Sequence, residues 1–188
     1  MRQAARRGLR TLVFLKVSLF LLLVSGVPAL AQETVSIAIS GTSVNWSTGT
    51  GNSLVPGSSN NPGSNTITIT TSWSLQPGRT SLDWYAYFAS ATAALQHASA
   101  VCTTGCMDIP SSAVQIGING GPLASVNAAG PFGAANANLR IISLHITGAN
   151  KNSNRSDVLR FNINLSSLPQ LPADTYTGTL FLRAQATP

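Results

Sequence analysis

TITITTSWSL, residues 66–75, decides the fold. Ile67, Ile69, Trp73 and Leu75 fall on one side of a two-residue repeat, while Thr and Ser fill the other. Successive side chains of a strand point to opposite faces, so the pattern describes a strand with one apolar and one hydroxyl-rich face.

The same alternation recurs on both sides of it. Val35, Ile37 and Ile39 alternate with small polar residues, and Val44 and Trp46 follow a Gly-Thr-Ser break. In SLDWYAYF, residues 81–88, Leu82, Trp84, Ala86 and Phe88 oppose Asp83, Tyr85 and Tyr87. Val114, Ile116 and Ile118 lead into Asn119-Gly120-Gly121, a hairpin signal because Asn and Gly tolerate positive φ. A short return passes through Leu123 and Val126. Three further runs follow: Ile142–Ile146, Leu159–Leu165, and Tyr176 with Leu180, Leu182 and Ala184. Only Ser90–Ala100, SATAALQHASA, offers a short helix or an irregular connection. Strands apolar on one face, with no helices between them, predict an all-β, antiparallel two-sheet sandwich of immunoglobulin-like type. Uneven loop lengths favour it over a closed barrel.

The N-terminus reads as an address. Arg2, Arg6, Arg7, Arg10 and Lys16 precede an uncharged run from Val17 to Val27, and Pro28-Ala29-Leu30-Ala31 leads to Gln32. This is the layout of a secretory signal peptide, with cleavage expected between Ala31 and Gln32. The run is short of the roughly 20 residues that a membrane helix needs, so no membrane span is expected after cleavage. The expected product is a single domain, residues 32–188, delivered to the periplasm, cell surface or medium. Five of the eleven Lys and Arg leave with the leader, so the remaining six nearly balance five acids. No basic cluster survives to bind nucleic acid.

Residues suited to chemistry are few. Cys102 and Cys106, in CTTGC, are the two cysteines, and in an exported chain a disulfide between them is expected. A metal site would need further ligands, and only His97 is near in sequence, so no metal is expected. The expected mature chain carries His97, His145, Glu33, Asp83, Asp108, Asp157 and Asp174, with no positioned nucleophile motif and no calcium-loop pattern. The composition therefore favours a protein that is not an enzyme and takes no cofactor. From Ser47 to Asn65 only Leu54 and Val55 interrupt a run of Gly, Ser, Thr, Asn and Pro, which predicts a solvated surface loop. Asp83, Tyr85 and Tyr87 mark the best candidate contact face. Two tyrosines at i and i+2 make a flat surface that suits a sugar ring or another subunit.

Near the C-terminus, LPADTYTGTLFLRAQ (residues 171–185) resembles the final strand of bacterial spore-coat-U-type and fimbrial, pilin-like domains. Pro172, Ala173, Tyr176, Gly178, Thr179, Leu180 and Leu182 carry the resemblance; Asp174 stands where that pattern has glycine. The proline-defined corner also makes Tyr176 a candidate for the corner tyrosine of immunoglobulin-like sandwiches. The resemblance implies a subunit of a surface polymer, in which a neighbour supplies a missing strand by β-augmentation. Glu33–Ser40 has the alternation of such a donor, and equally that of the domain's own first strand. A carbohydrate-binding module is the alternative function.

Overall fold

The computed structural model describes residues 32–41, 43–44, 54–98, 107–172 and 174–188. They form ten strands and one 3-10 turn, Ser111–Ala113. In chain order the strands are β1 (Thr34–Ser40), β2 (Ile67–Ser74), β3 (Ser81–Tyr87), β4 (Gln96–His97) and β5 (Val114–Ile118). They continue with β6 (Ala124–Ser125), β7 (Asn138–His145), β8 (Asn152–Ile163), β9 (Tyr176–Thr177) and β10 (Phe181–Thr187). The strands pair antiparallel throughout. One sheet runs β1-β2-β8-β5-β6, the second runs β10-β3-β7, and β4 with β9 makes a separate two-stranded ribbon.

The two larger sheets pack face to face as an open sandwich, and the alternating residues meet between them. Ile69, Trp73, Val114, Ile116, Leu159 and Phe161 come from the five-stranded sheet, and Leu82, Trp84, Ala86 and Ile142 from the other. The two tryptophans meet edge to face at 5.8 Å between ring centroids, a favoured aromatic geometry. Each indole N–H finds an acceptor: Trp84 donates to Thr71 Oγ1 and Trp73 to the carbonyl of Asn150, both at 2.8 Å. Leaving a buried donor unpaired costs free energy that packing must offset, so these two bonds matter as much as the ring contact. A smaller cluster, built on Ile109, Ile163, Leu165 and Leu171, lies against Tyr176.

Turn chemistry follows the residues. Asn119 and Gly120 take φ of +48° and +79°, and the Gly121 N–H donates to the Ile118 carbonyl at 2.7 Å. Both central residues of the turn are left-handed, which is the twist a tight hairpin demands and why Asn-Gly fills it.

The structure refines three expectations. Ser90–Leu95 is not helical, because its backbone is recruited sideways: Leu95 exchanges two hydrogen bonds with Ile109 before Gln96–His97 forms β4. The closing stretch is two strands rather than one. Tyr176–Thr177 pairs with β4, and Phe181–Thr187 pairs with β3. Gly178 separates them; a Cβ there would collide with the Ala94 carbonyl oxygen. Lastly, the second half of the expected surface loop, residues 54–65, is bonded to the end of β8. Asn61 is buried, accepts from the Val55 N–H and donates to the Ile163 carbonyl, while its own N–H reaches Asn162 Oδ1. Amide side chains do there what apolar burial could not. Val44 lies outside any strand, and Trp46 falls outside the described residues.

Candidate functional site

The two flanks of the sandwich are finished differently. On one flank lie β6 and β7. β6 has two residues and follows Pro122, and β7 carries a register break where Trp84 faces Ile142 but Tyr85 faces Arg140. Short edges, bulges and nearby proline are the devices by which sheets avoid unwanted pairing. On the opposite flank β1 and β10 come close to each other. Each is seven residues long and regular in register, without proline, and Arg183 is their one charge. No described residue pairs with the outer edge of either strand as part of a sheet.

The core is incompletely covered along that flank. Val35, Ile37, Leu180, Leu182, Ala184 and Ala186 pack on the core but remain partly exposed. Ile39, on the same face as Val35 and Ile37, is 48 % exposed. β1 itself is held in place: its seven residues pair with β2 from Thr34↔Ser74 to Ser40↔Thr68. Arg79 grips Glu33, just before β1, through Nε and Nη2 at 2.7–3.2 Å, and this partnership raises the pKa of the guanidinium. Glu33–Ser40 therefore serves its own domain as a first strand.

The outer face of the β10-β3-β7 sheet gathers a second group. Pairing lays out transverse rows: Phe181, Tyr87 and Asn138; then Arg183, Tyr85 and Arg140; then Gln185, Asp83 and Ser143. Tyr87 stacks on Phe181 at 5.3 Å with 20° between ring planes. Phe132 folds over from the loop before β7, 5.3 Å from Tyr85 and 5.8 Å from Tyr87, with the Arg183 guanidinium 4.3 Å from its ring centroid. Asn138 ties that loop down by donating to the Phe132 carbonyl. Burial, then the Asp83 carboxylate, raise the Tyr85 phenol pKa, and Arg140 partly offsets them.

Tyr85 and Tyr87 thus share a face with Asp83, as the alternation predicts, but Asp83 is not available at the surface. It is 6 % exposed, accepts from Ser81 Oγ at 3.1 Å, and has Arg140 Nη1 at 3.8 Å. The sequence could not reveal Phe132, Phe181, Arg140 and Arg183 as companions, because cross-strand register and a folded-back loop bring them there.

Tyr176 packs on the smaller cluster, and its hydroxyl donates to the Pro172 carbonyl at 2.8 Å. Burial, with Asp174 and Asp108 nearby, raises its pKa. Beside it, His97 Nδ1 lies 2.8 Å from Asp108 Oδ1, which also accepts from the His97 backbone N–H. These bonds hold the Asp108 carboxyl below its usual range. Among the described residues no serine hydroxyl joins the pair, and no three His, Cys, Asp or Glu side chains come together as metal ligands. His145 is exposed, and Gln32 is exposed beside β1. Cys102, Cys106, Ala31 and Ala173 lie outside the described residues. Among the described residues no helix is long and apolar enough to cross a membrane.

The interior holds an ion pair that alternation did not announce. Asp157, fully buried, receives both Arg155 Nε and Nη2 at 2.7 and 2.5 Å, and Asn119 Nδ2 at 2.8 Å. It ties the β5–β6 turn to β8. No family model, curated protein or solved structure matches the chain.

Proposed function

We propose that this chain is an exported, non-enzymatic structural subunit that assembles by accepting a neighbour's extended segment along the β1/β10 flank. The carrying observation is the contrast between flanks. β6 has only two residues and β7 is bulged, whereas β1 and β10 run seven residues each, regular in register and nearly uncharged, with Ile39 of β1 48 % exposed. Natural sheets blunt edges that must stay single. An edge left pairing-competent, over a half-covered core, offers backbone hydrogen bonds and apolar contact to one added strand.

Sheet order supports the same reading. β1-β2-β8-β5 matches the A-B-E-D sheet of an immunoglobulin-like sandwich, and β3 with β10 matches its C–F pair. In that scheme strand G lies beyond F. No described residue pairs at the corresponding position beside β10. The resemblance of residues 171–185 to pilin-like and spore-coat-U-type domains adds the surface-polymer context, and the leader-like N-terminus adds the exported address.

The test is oligomer formation by the purified protein. Heat-sensitive oligomers should survive mild detergent, and Ile39→Lys or Leu182→Lys should abolish them while circular dichroism retains the β spectrum. A monomer at every concentration, or oligomers indifferent to both changes, would sink the proposal.

A further inference from the structure

The outer faces of the two sheets differ in kind. On the five-stranded sheet, Thr68, Thr70, Ser72 and Ser74 of β2 lie beside Val158, Ser156, Asn154 and Asn152 of β8. Apart from Val158 and, two residues on, Arg160, which donates to the Gly121 carbonyl, this is a neutral, hydroxyl- and amide-bearing surface without aromatic rings. The outer face of the β10-β3-β7 sheet instead presents aromatic rings flanked by guanidinium groups.

From this face we infer a binding site for acidic polysaccharide, a chain of uronic-acid sugars, on the rows built by Tyr85, Tyr87, Phe181, Arg140 and Arg183. This goes beyond the strand-accepting flank and does not depend on it. Tyr85 stands between Arg183 on β10 and Arg140 on β7, as their paired neighbour in both directions. Neighbouring strands lie about 4.8 Å apart, so the two arginines are rooted roughly 10 Å from each other across the tyrosine. Phe181 stacks on Tyr87 in the next row and Phe132 packs on both tyrosines, so the tyrosines anchor an aromatic cluster whose exposed member is Phe181.

Charge selects the ligand. The Arg140 side chain is 58 % exposed, and Arg183 is exposed as well. The carboxylate on this face, Asp83, is buried and bonded to Ser81. Solvent therefore meets two cations and no accessible anion within these rows. Guanidinium groups bind carboxylates through paired N–H donors, and aromatic rings bind the apolar C–H faces of pyranose sugars. A polymer carrying a carboxylate on each sugar satisfies both demands over a sheet face.

The test is affinity electrophoresis and calorimetry of the purified protein with polygalacturonate, with dextran as the neutral control and a single-stranded oligonucleotide as a second polyanion. Polygalacturonate should bind, and added salt should weaken it because exposed charges are screened. Phe181→Ala and Arg183→Ala, both at exposed positions, should each weaken binding by roughly fivefold or more without lowering the melting temperature appreciably. The inference is overturned by absent binding, by equal binding of dextran, by tighter binding of the oligonucleotide, or by affinity unchanged in either variant.

Discussion

Trp84 and Thr71 join the two layers of the sandwich from within: the indole N–H of β3 donates to the threonine hydroxyl of β2 at 2.8 Å, with both residues buried. Thr71→Val keeps the shape and removes the acceptor. The unpaired donor should cost about 1–3 kcal/mol, read from urea unfolding. A loss below about 0.5 kcal/mol would mean that the indole finds another partner.

Tyr176 makes a comparable but more exposed bond, to the Pro172 carbonyl. Tyr176→Phe keeps the ring against the smaller cluster and deletes only the hydroxyl. Stability should fall by about 0.5–1.5 kcal/mol. An unchanged unfolding midpoint would show that the corner rests on ring packing alone.

At Gly178 the backbone passes so near the Ala94 carbonyl that a methyl group must displace one of them. Gly178→Ala should destabilise by at least about 1–3 kcal/mol, the usual cost of overpacking. Hydrogen exchange should quicken first in β4 and β9. Exchange confined to other strands would contradict the assigned packing.

The His97–Asp108 pair predicts an acid limb. The Asp108 pKa is lowered in the folded state, chiefly by the His97 side-chain hydrogen bond and then by the His97 backbone N–H. A depressed carboxyl contributes stability above its unfolded pKa of about 3.9 and loses it as pH falls through the lower folded value. The stability gap between the wild type and Asp108→Asn should thus be present at pH 6 and close below about pH 4. A gap that persists at pH 2 would place the stabilisation elsewhere.

Two-residue alternation made most of this sandwich legible. Ile67, Ile69, Trp73 and Leu75 share a face because a strand sends every second side chain the same way, and Asn119-Gly120 declares its turn through φ. Legibility ended where partners come from distant sequence. Nothing local announces that Arg183 and Arg140 flank Tyr85, or that Phe132 folds onto it. The same limit hid Asp157, whose buried charge is tolerable only because Arg155 and Asn119 meet it. Gly178 is a turn-prone residue by its lack of a side chain, but its break between β9 and β10 depends on Ala94, far away in sequence.

The uneven finish of the two flanks sets a valence. A body that is receptive along one side and blunt along the other can recruit a single partner there, so stacking copies through that side alone stops at pairs. If the proposed strand addition operates, growth beyond a pair would demand a separate donor segment from each copy.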